Sequence, residues 1–227
     1  MAPLLGEIAP NFSAETTHGP IDFHTYIESS WAVLFSHPAD FTPVCTTELA
    51  RVSQLLPEFE ARNVKVLALS CDDLQSHTGW LADISAYGKG CPMGPKGEGF
   101  PIIADASRDV ARLYGMIPAD HPVDDKGMPM TVRSVFVVGL DKKIKLSLTY
   151  PASTGRSFDE ILRVIDSLQL AVSHKVATPV DWTKGKDCVV LPSVSNDKAQ
   201  ELFPKGFKPA ELPSGKQYLR MTPQPDL

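Results

Sequence analysis

Four cysteines, Cys45, Cys71, Cys91 and Cys188, are the side chains of this 227-residue chain best suited to covalent chemistry, and they sit in unlike contexts. Cys45 lies in Phe35-Ser-His-Pro-Ala-Asp-Phe-Thr-Pro-Val-Cys-Thr-Thr-Glu48, where a loop runs into a helix signal. Thr42 fits the N-cap, and Pro43 fits the first helical position, where a missing N–H costs nothing. Cys45 is then the third helical residue, with a backbone N–H among those that lack an intrahelical acceptor. The positive end of a helix dipole favours negative charge there. Thiolates at helix N-termini are stabilised, and the thiolate is the reactive form. The alternative is a small buried residue, the usual fate of a free cysteine. Neighbouring cysteines are never closer than the 20 positions between Cys71 and Cys91, so neither a zinc knuckle nor a CxxC dithiol is encoded. The six histidines form no HExxH pair and no Cys/His ligand spacing, and no catalytic metal is expected.

The elements that must hold Cys45 follow from the apolar pattern. Trp31 to Ser36 reads as a buried strand, placing the thiol just beyond the carboxyl end of a strand, where α/β proteins usually bind ligands. Leu49, Val52, Leu55, Leu56 and Phe59 recur at helical spacing, with Pro57 expected to bend or shorten the helix. A strand over 63–70 and a helix over 72–87 follow, the helix turning Leu74, Trp80, Leu81 and Ile84 inward. Residues 88–99 form a glycine-rich loop, 101–104 a short strand, 107–114 a short helix and 119–130 a second loop. Residues 131–138 and 143–149 read as a hairpin, and 157–172 as an amphipathic helix carrying Phe158, Ile161, Leu162, Ile165 and Leu168. The pattern predicts an α/β layered sheet with antiparallel strands added late.

Hydrophobic residues at 43% and charged residues at 22% are those of a chain that buries a core, which excludes general disorder. No apolar run approaches the roughly 18 residues of a membrane span. A formal net charge of −5 argues against nucleic acid as partner. The first residues show no basic segment followed by a long apolar one, giving the expectation of a cytoplasmic, reducing location without structural disulfides. Composition shifts near residue 170. Residues 171–227 hold seven of the 20 prolines and eight Lys/Arg against six Asp/Glu, compared with 14 against 21 before them. The expected division is 1–170 and a small appended domain, 171–227, packing on the core or on a second subunit.

The run Pro38-x-x-x-Thr42-x-x-Cys45 resembles the active-site motif of the peroxiredoxins, and the longer stretch around it resembles their one-cysteine subfamily. The likeness continues through Lys126-Gly-Met-Pro-Met-Thr-Val-Arg133, Tyr150-Pro-Ala-Ser-Thr-Gly-Arg156, Val176-Ala-Thr-Pro-Val-Asp-Trp182 and Glu211-Leu-Pro-Ser-Gly-Lys-Gln-Tyr-Leu-Arg220, almost the whole chain. It implies a thioredoxin-like fold, a mixed central sheet flanked by helices, with a C-terminal dimerisation region. It implies a thiol peroxidase that reduces hydrogen peroxide and organic or lipid hydroperoxides through a Cys45 sulfenic acid. Cys45 matches the peroxidatic cysteine. Thr42 matches the hydroxyl that bonds the thiolate and a peroxide oxygen, Pro38 the water-shielding proline, and Arg133 the arginine that stabilises developing negative charge. Glu48 and Arg156 match an ion-pair network around the site. Taken without the likeness, Thr42 is a helix cap, Arg133 an edge residue or structural ion pair, and Glu48 and Arg156 a solvated pair. His37 either steers substrate, binds a counter-ion or closes the turn.

The Val-Cys-Pro resolving motif of two-cysteine relatives is missing. The resemblance therefore implies an external thiol reductant, glutathione, and no bound cofactor. The implied partners are a second copy of the chain, peroxides, glutathione and a glutathione transferase. The subfamily is also associated with a calcium-independent phospholipase A2 activity at a phospholipid surface, with a serine, histidine and aspartate matching Ser30, His24 and Asp141. The glycines that flank such a serine are replaced, since the segment reads Glu28-Ser-Ser30-Trp-Ala32. On the bland reading Ser30 sits at a strand entrance and His24 is a partly buried surface residue. A peroxide sensor or chaperone without turnover would use the same Cys45 chemistry.

Overall fold

Asp22 sets the start of the first helix: its carboxylate accepts from the Thr25 N–H, capping α1 (Phe23–Ile27). Two short strands, β1 (Ser13–Ala14) and β2 (Ile21–Asp22), form an antiparallel ribbon ahead of it. The fully buried run β3 (Trp31–Ser36) leads to α2 (Pro43–Gln54). Pro57 lies one residue into α3 (Leu56–Glu60), and the helix breaks at Leu55 just before it, the shortening that a proline ring imposes. Then follow β4 (Val64–Ser70), α4 (Leu74–Tyr87), β5 (Ile102–Ala104), α5 (Asp109–Leu113) and the hairpin β6 (Arg133–Val138) and β7 (Ile144–Tyr150), bulged between Val137 and Val138. This computed structural model describes residues 2–94, 98–120 and 123–226; residues 95–97 and 121–122 of the two loops expected from glycine and proline lie outside them. Among the described residues no helix is long and apolar enough to cross a membrane.

The five-stranded sheet has the order β5-β4-β3-β6-β7. β3, β4 and β5 run parallel, and β6 and β7 join antiparallel. Both faces are apolar, as expected when helices or loops cover each side. One face, with Leu34, Leu67, Leu69 and Phe136, shares a core with Phe12, Phe23 and Tyr114. The other presents Val33, Phe35, Val66, Ala68, Val135 and Val137, all buried. The sheet and the helices between its strands are those the apolar pattern predicts. One position differs. Leu74, expected inward, is 38% exposed, and the buried stripe of α4 is His77, Trp80, Leu81 and Ile84. Leu74 opens the helix directly after its cap Asp73, one turn short of the packed face.

The chain divides into compact units at Met1–Phe158 and Asp159–Leu227, earlier than the composition change near residue 170. The reason is local: α6 (Phe158–Ser173) supplies Leu170 to the second unit's own core, with Trp182, Cys188 and Phe203. That unit continues with β8 (Val176–Ala177), β9 (Cys188–Val190), α7 (Asn196–Leu202), β10 (Lys208–Pro209) and β11 (Arg220–Thr222), its sheet ordered β10-β11-β9-β8. Buried Arg220 donates to the carbonyls of Leu191 and Val194 and to the Asn196 side chain.

Glu28 closes α1 with φ 41° and ψ −109°, a conformation natural to glycine and strained for a residue with a Cβ. Glu28→Gly is expected to stabilise the fold by roughly 1 kcal/mol, offset partly by the added freedom of the unfolded chain. Urea unfolding of both proteins measures it, and a destabilised variant would contradict a strained turn.

Candidate active site

Cys45 is the third residue of α2, and the chain turns into this helix through Phe41, which has φ 51°. The first backbone bond of the helix runs from the Thr46 N–H to the Thr42 carbonyl, so the Cys45 N–H precedes the helical ladder. Thr42 occupies the N-cap by its backbone angles, but its hydroxyl does not cap; it donates to the Ala39 carbonyl at 2.9 Å. The expected side-chain cap is thus replaced by a bond that tightens the preceding loop. Pro38 and His37 are buried in that loop.

The strand order brings Arg133 to Cys45. β3 pairs with β6 so that Phe35 faces Val135, and Arg133, two residues on along the same face, reaches α2. Its Nη1 donates to Glu48 Oε2 at 2.7 Å and lies 3.4 Å from Cys45 Sγ. Its Nε and Nη2 both donate to the Ala152 carbonyl, which fixes the plane of the guanidinium. Arg156 grips Glu48 in a two-pronged pair, Nε to Oε1 at 2.9 Å and Nη2 to Oε2 at 2.7 Å, and its backbone N–H adds a third bond. Arg156 Nη1 donates to the carbonyls of Ser36 and Ser134, and the guanidinium lies over Phe35 and Phe158. Burial alone would raise the Glu48 carboxyl, yet Arg156, with Arg133 behind it, holds it below the usual range. Two cations share one carboxylate in a buried site, leaving surplus positive charge beside the sulfur.

The loop also carries a group of buried side chains that sequence reasoning left unassigned. His37 Nε2 lies 2.9 Å from Asp40 Oδ1, and His77 Nδ1 lies 2.7 Å from Asp40 Oδ2, which also accepts from the Ser76 hydroxyl. His77 Nε2 meets the Ile103 carbonyl at 3.1 Å. His37 Nδ1 is buried without a partner. Burial lowers the His37 ring, opposed by Asp40. Burial opposes ionisation of Asp40 too, but the two rings hold its carboxyl far below the ordinary range. Ligating atoms of the three residues fall within 4.8 Å of one another, close enough to share a cation, although hydrogen bonds already link each ring to Asp40. The signal was present: His77 sits on the apolar stripe of α4, where a polar residue needs a buried partner.

The residues considered for lipid hydrolysis each have other hydrogen-bond partners. Ser30 Oγ donates to Asn63 Oδ1 at 3.0 Å, His24 Nε2 faces the Ala9 carbonyl at 2.8 Å, and Asp141 accepts from Lys145 Nζ at 2.7 Å. A triad needs serine bonded to histidine and histidine to aspartate; each of these side chains is engaged elsewhere. The other thiols are buried in different surroundings. Burial, with Asp105 adding to it, pushes Cys71 up to about 12, and burial raises Cys188. Cys91 Sγ points at the Ile84 carbonyl.

Residues 5–147 match the AhpC/TSA family, and residues 167–206 match the C-terminal domain of 1-Cys peroxiredoxin. Peroxiredoxin-6 of Rattus norvegicus is 58% identical over 223 residues, 98% of each chain. This chain belongs to the one-cysteine peroxiredoxins. It is a peroxidase, an oxidoreductase on a thioredoxin-like fold. The peroxiredoxin is similar in structure to the C45S mutant of the peroxiredoxin 6 of Arenicola marina, with a TM-score of 0.93 and 51% identity over 99% of each chain. A yeast mitochondrial 1-Cys peroxiredoxin, described as resolved through glutathione/thioredoxin systems, has a TM-score of 0.84 at 47% identity, covering 97% of this peroxiredoxin and 99% of that chain.

An aspartate with a depressed folded pKa adds stability that is fully present above its unfolded value, about 4, and lost as pH falls through the folded value. Wild type should therefore weaken as pH falls below about 5, and Asp40→Asn should show a shallower acid limb in urea unfolding between about pH 5 and pH 3. An unchanged slope would place the acid dependence elsewhere.

Proposed function

We propose that Cys45 is the nucleophile of peroxide reduction and that Arg133 is the cation that stabilises it. The observation that carries this is the shared Nη1 of Arg133, bonded to Glu48 and 3.4 Å from Cys45 Sγ. The thiolate attacks one oxygen of the hydroperoxide. The O–O bond breaks, the leaving oxygen takes a proton as water or an alcohol, and Cys45 becomes a sulfenic acid. Negative charge spreads from sulfur to the leaving oxygen, and a fixed guanidinium meets it without reorganisation. The Thr42 hydroxyl, having given its proton to Ala39, keeps lone pairs to accept from the hydroperoxide O–H. Buried Pro38, with no N–H, keeps water from the loop. Glu48 and Arg156 act by holding Arg133.

The reductant of the sulfenic acid is an external thiol, and we assign glutathione. Cys71, Cys91 and Cys188 are buried, and burial pushes the Cys71 and Cys188 thiols up, toward the protonated form. The same cycle suits a reducing, cytoplasmic setting. The second unit serves pairing with another copy of the chain, in keeping with its match to the subfamily's C-terminal domain.

Intact-mass measurement during peroxide titration tests the central assignment. Wild type should gain one oxygen at Cys45 at one equivalent and two, then three, in excess peroxide, while Cys45→Ser stays unmodified on that timescale. Rapid single-oxygen gain in Cys45→Ser would sink it. Arg133→Gln should slow the single-turnover reaction by about 10²–10³-fold, read by stopped flow, since it removes a preorganised donor from the developing charge. A loss under threefold would remove Arg133 from the chemistry.

A further inference from the structure

The two rings that meet Asp40 are in different protonation states. His77 is wholly buried on α4, and each of its ring nitrogens faces an oxygen: Nδ1 meets Asp40 Oδ2 at 2.7 Å, and Nε2 meets the Ile103 carbonyl at 3.1 Å. A carbonyl oxygen can only accept, so Nε2 carries a proton. The Asp40 carboxyl is held far below the ordinary range, and an ionised carboxylate also can only accept. Nδ1 therefore carries a proton as well, and a ring with both is an imidazolium. His37 differs. Its Nε2 faces Asp40 Oδ1 at 2.9 Å, but its Nδ1 is buried without a partner. A proton there would be a buried donor with nothing to receive it, and burial also opposes a charged ring. His37 is thus neutral, with its one proton on Nε2.

The buried cation is matched from several sides. Asp40 Oδ2, its direct partner, also accepts from the Ser76 hydroxyl at 2.8 Å. The Asp40 N–H donates to the Asp72 carboxylate at 2.9 Å, Asp73 caps α4 one turn before His77, and β5 presents the Ile103 carbonyl. Removing one member of such a pair leaves the other charge buried and uncompensated. The pair joins α4 to the stretch of chain that carries the thiol, since Asp40 lies five residues before Cys45. Trp80, one turn beyond His77, adds to the same grip. Its ring centroid is 5.3 Å from that of His37, and its Nε1 donates to the Thr46 hydroxyl at 3.3 Å. One face of α4 holds both the active loop and the first turn of α2.

Cys45 is fully buried, so a reducing thiol reaches its sulfenic sulfur only after residues 37–46 move away from α4. We propose that His77 is a cationic latch: its imidazolium, bonded to Asp40, holds residues 37–46 closed and sets how readily they open to the reductant. His77 acts through Asp40 and is a positioning residue. The inference rests on the external-thiol reading above and adds what governs access. Once the segment is open, the thiol sulfur bonds to the Cys45 sulfur, the S–O bond breaks, and the hydroxyl leaves with the thiol proton as water.

The first measurement is made on the reduced full chain. Nitrogen NMR of labelled histidine rings near neutral pH should show protons on both ring nitrogens of His77, identified by the signals missing from His77→Gln, and on one nitrogen of His37. A bare ring nitrogen on His77 would overturn the proposal. The second compares opening. Gln at position 77 can donate to Asp40 but brings neither the charge nor a second donor for Ile103. In His77→Gln, hydrogen exchange of residues 37–46, read by mass spectrometry, should quicken by at least about tenfold, and so should reduction by 2-mercaptoethanol of sulfenic acid formed beforehand with one equivalent of hydrogen peroxide. The peroxide step and the exchange of β4 and β6 should stay as in wild type. Ile27→Val, which trims the core on the sheet face of Leu34 and Phe136, should alter neither quantity. If His77→Gln does not fold, Ser76→Ala removes one bond to Asp40 and should move exchange of 37–46 in the same direction by about threefold. Unchanged exchange of 37–46 would overturn the latch, and so would faster exchange spread over the whole fold. Wild-type sulfenic acid that no small thiol reduces would overturn the external-thiol reading alone, because the ring protons and the exchange rates judge the latch without it.

Discussion

One carboxylate organises the reactive end of this protein. Glu48, on the same helix as the thiol, accepts from Arg133 and Arg156 together. A buried cation without a counter-charge is very costly, and a fully paired one has nothing left for a substrate. Two guanidiniums on one carboxylate resolve this. Arg156 is engaged by Glu48 and two carbonyls, and Arg133 keeps an N–H edge turned toward sulfur. The arrangement ties three separate parts of the chain to one point: the start of α2, the start of β6 and the loop after β7.

The dominant elements were legible because each has a local cause. The buried strand, the proline-led helix and the hairpin each announce themselves within a dozen residues, and Pro57 marks the helix break. What was not legible required knowing which residues meet across the fold. Leu74 has the right type for a core and lies one turn too early. Asp40 and His77 are 37 residues apart and become partners through the placement of α4 against the active loop. The Thr42 hydroxyl donates to the Ala39 carbonyl and accepts no N–H from the helix, a choice set by the loop geometry. The composition changes only after α6, whereas the core of the second compact unit already uses Leu170 of that helix.

The loop after β3 has a second buried anchor besides the ion-pair cluster. Asp40 receives the rings of His37 and His77, and its own N–H donates to Asp72 at 2.9 Å. The Thr131 hydroxyl donates to the His37 carbonyl, close in sequence to Arg133. These bonds hold the loop independently of Glu48. They account for how Phe41 is kept in a left-handed conformation that an unconstrained phenylalanine would leave.

The pairing of β3 with β6 makes reactivity a gauge of registry. Side chains alternate across a strand, so a slip of one residue would turn Arg133 away from α2 and into the face that holds Leu34 and Phe136. Cys45 and Arg133 are 88 positions apart, and no local contact can correct such an error. A compact but misthreaded molecule would keep its helices and most of its buried surface, and its thiol would be slow. During refolding, peroxide reactivity should therefore return with correct strand alignment and lag behind the recovery of helix content.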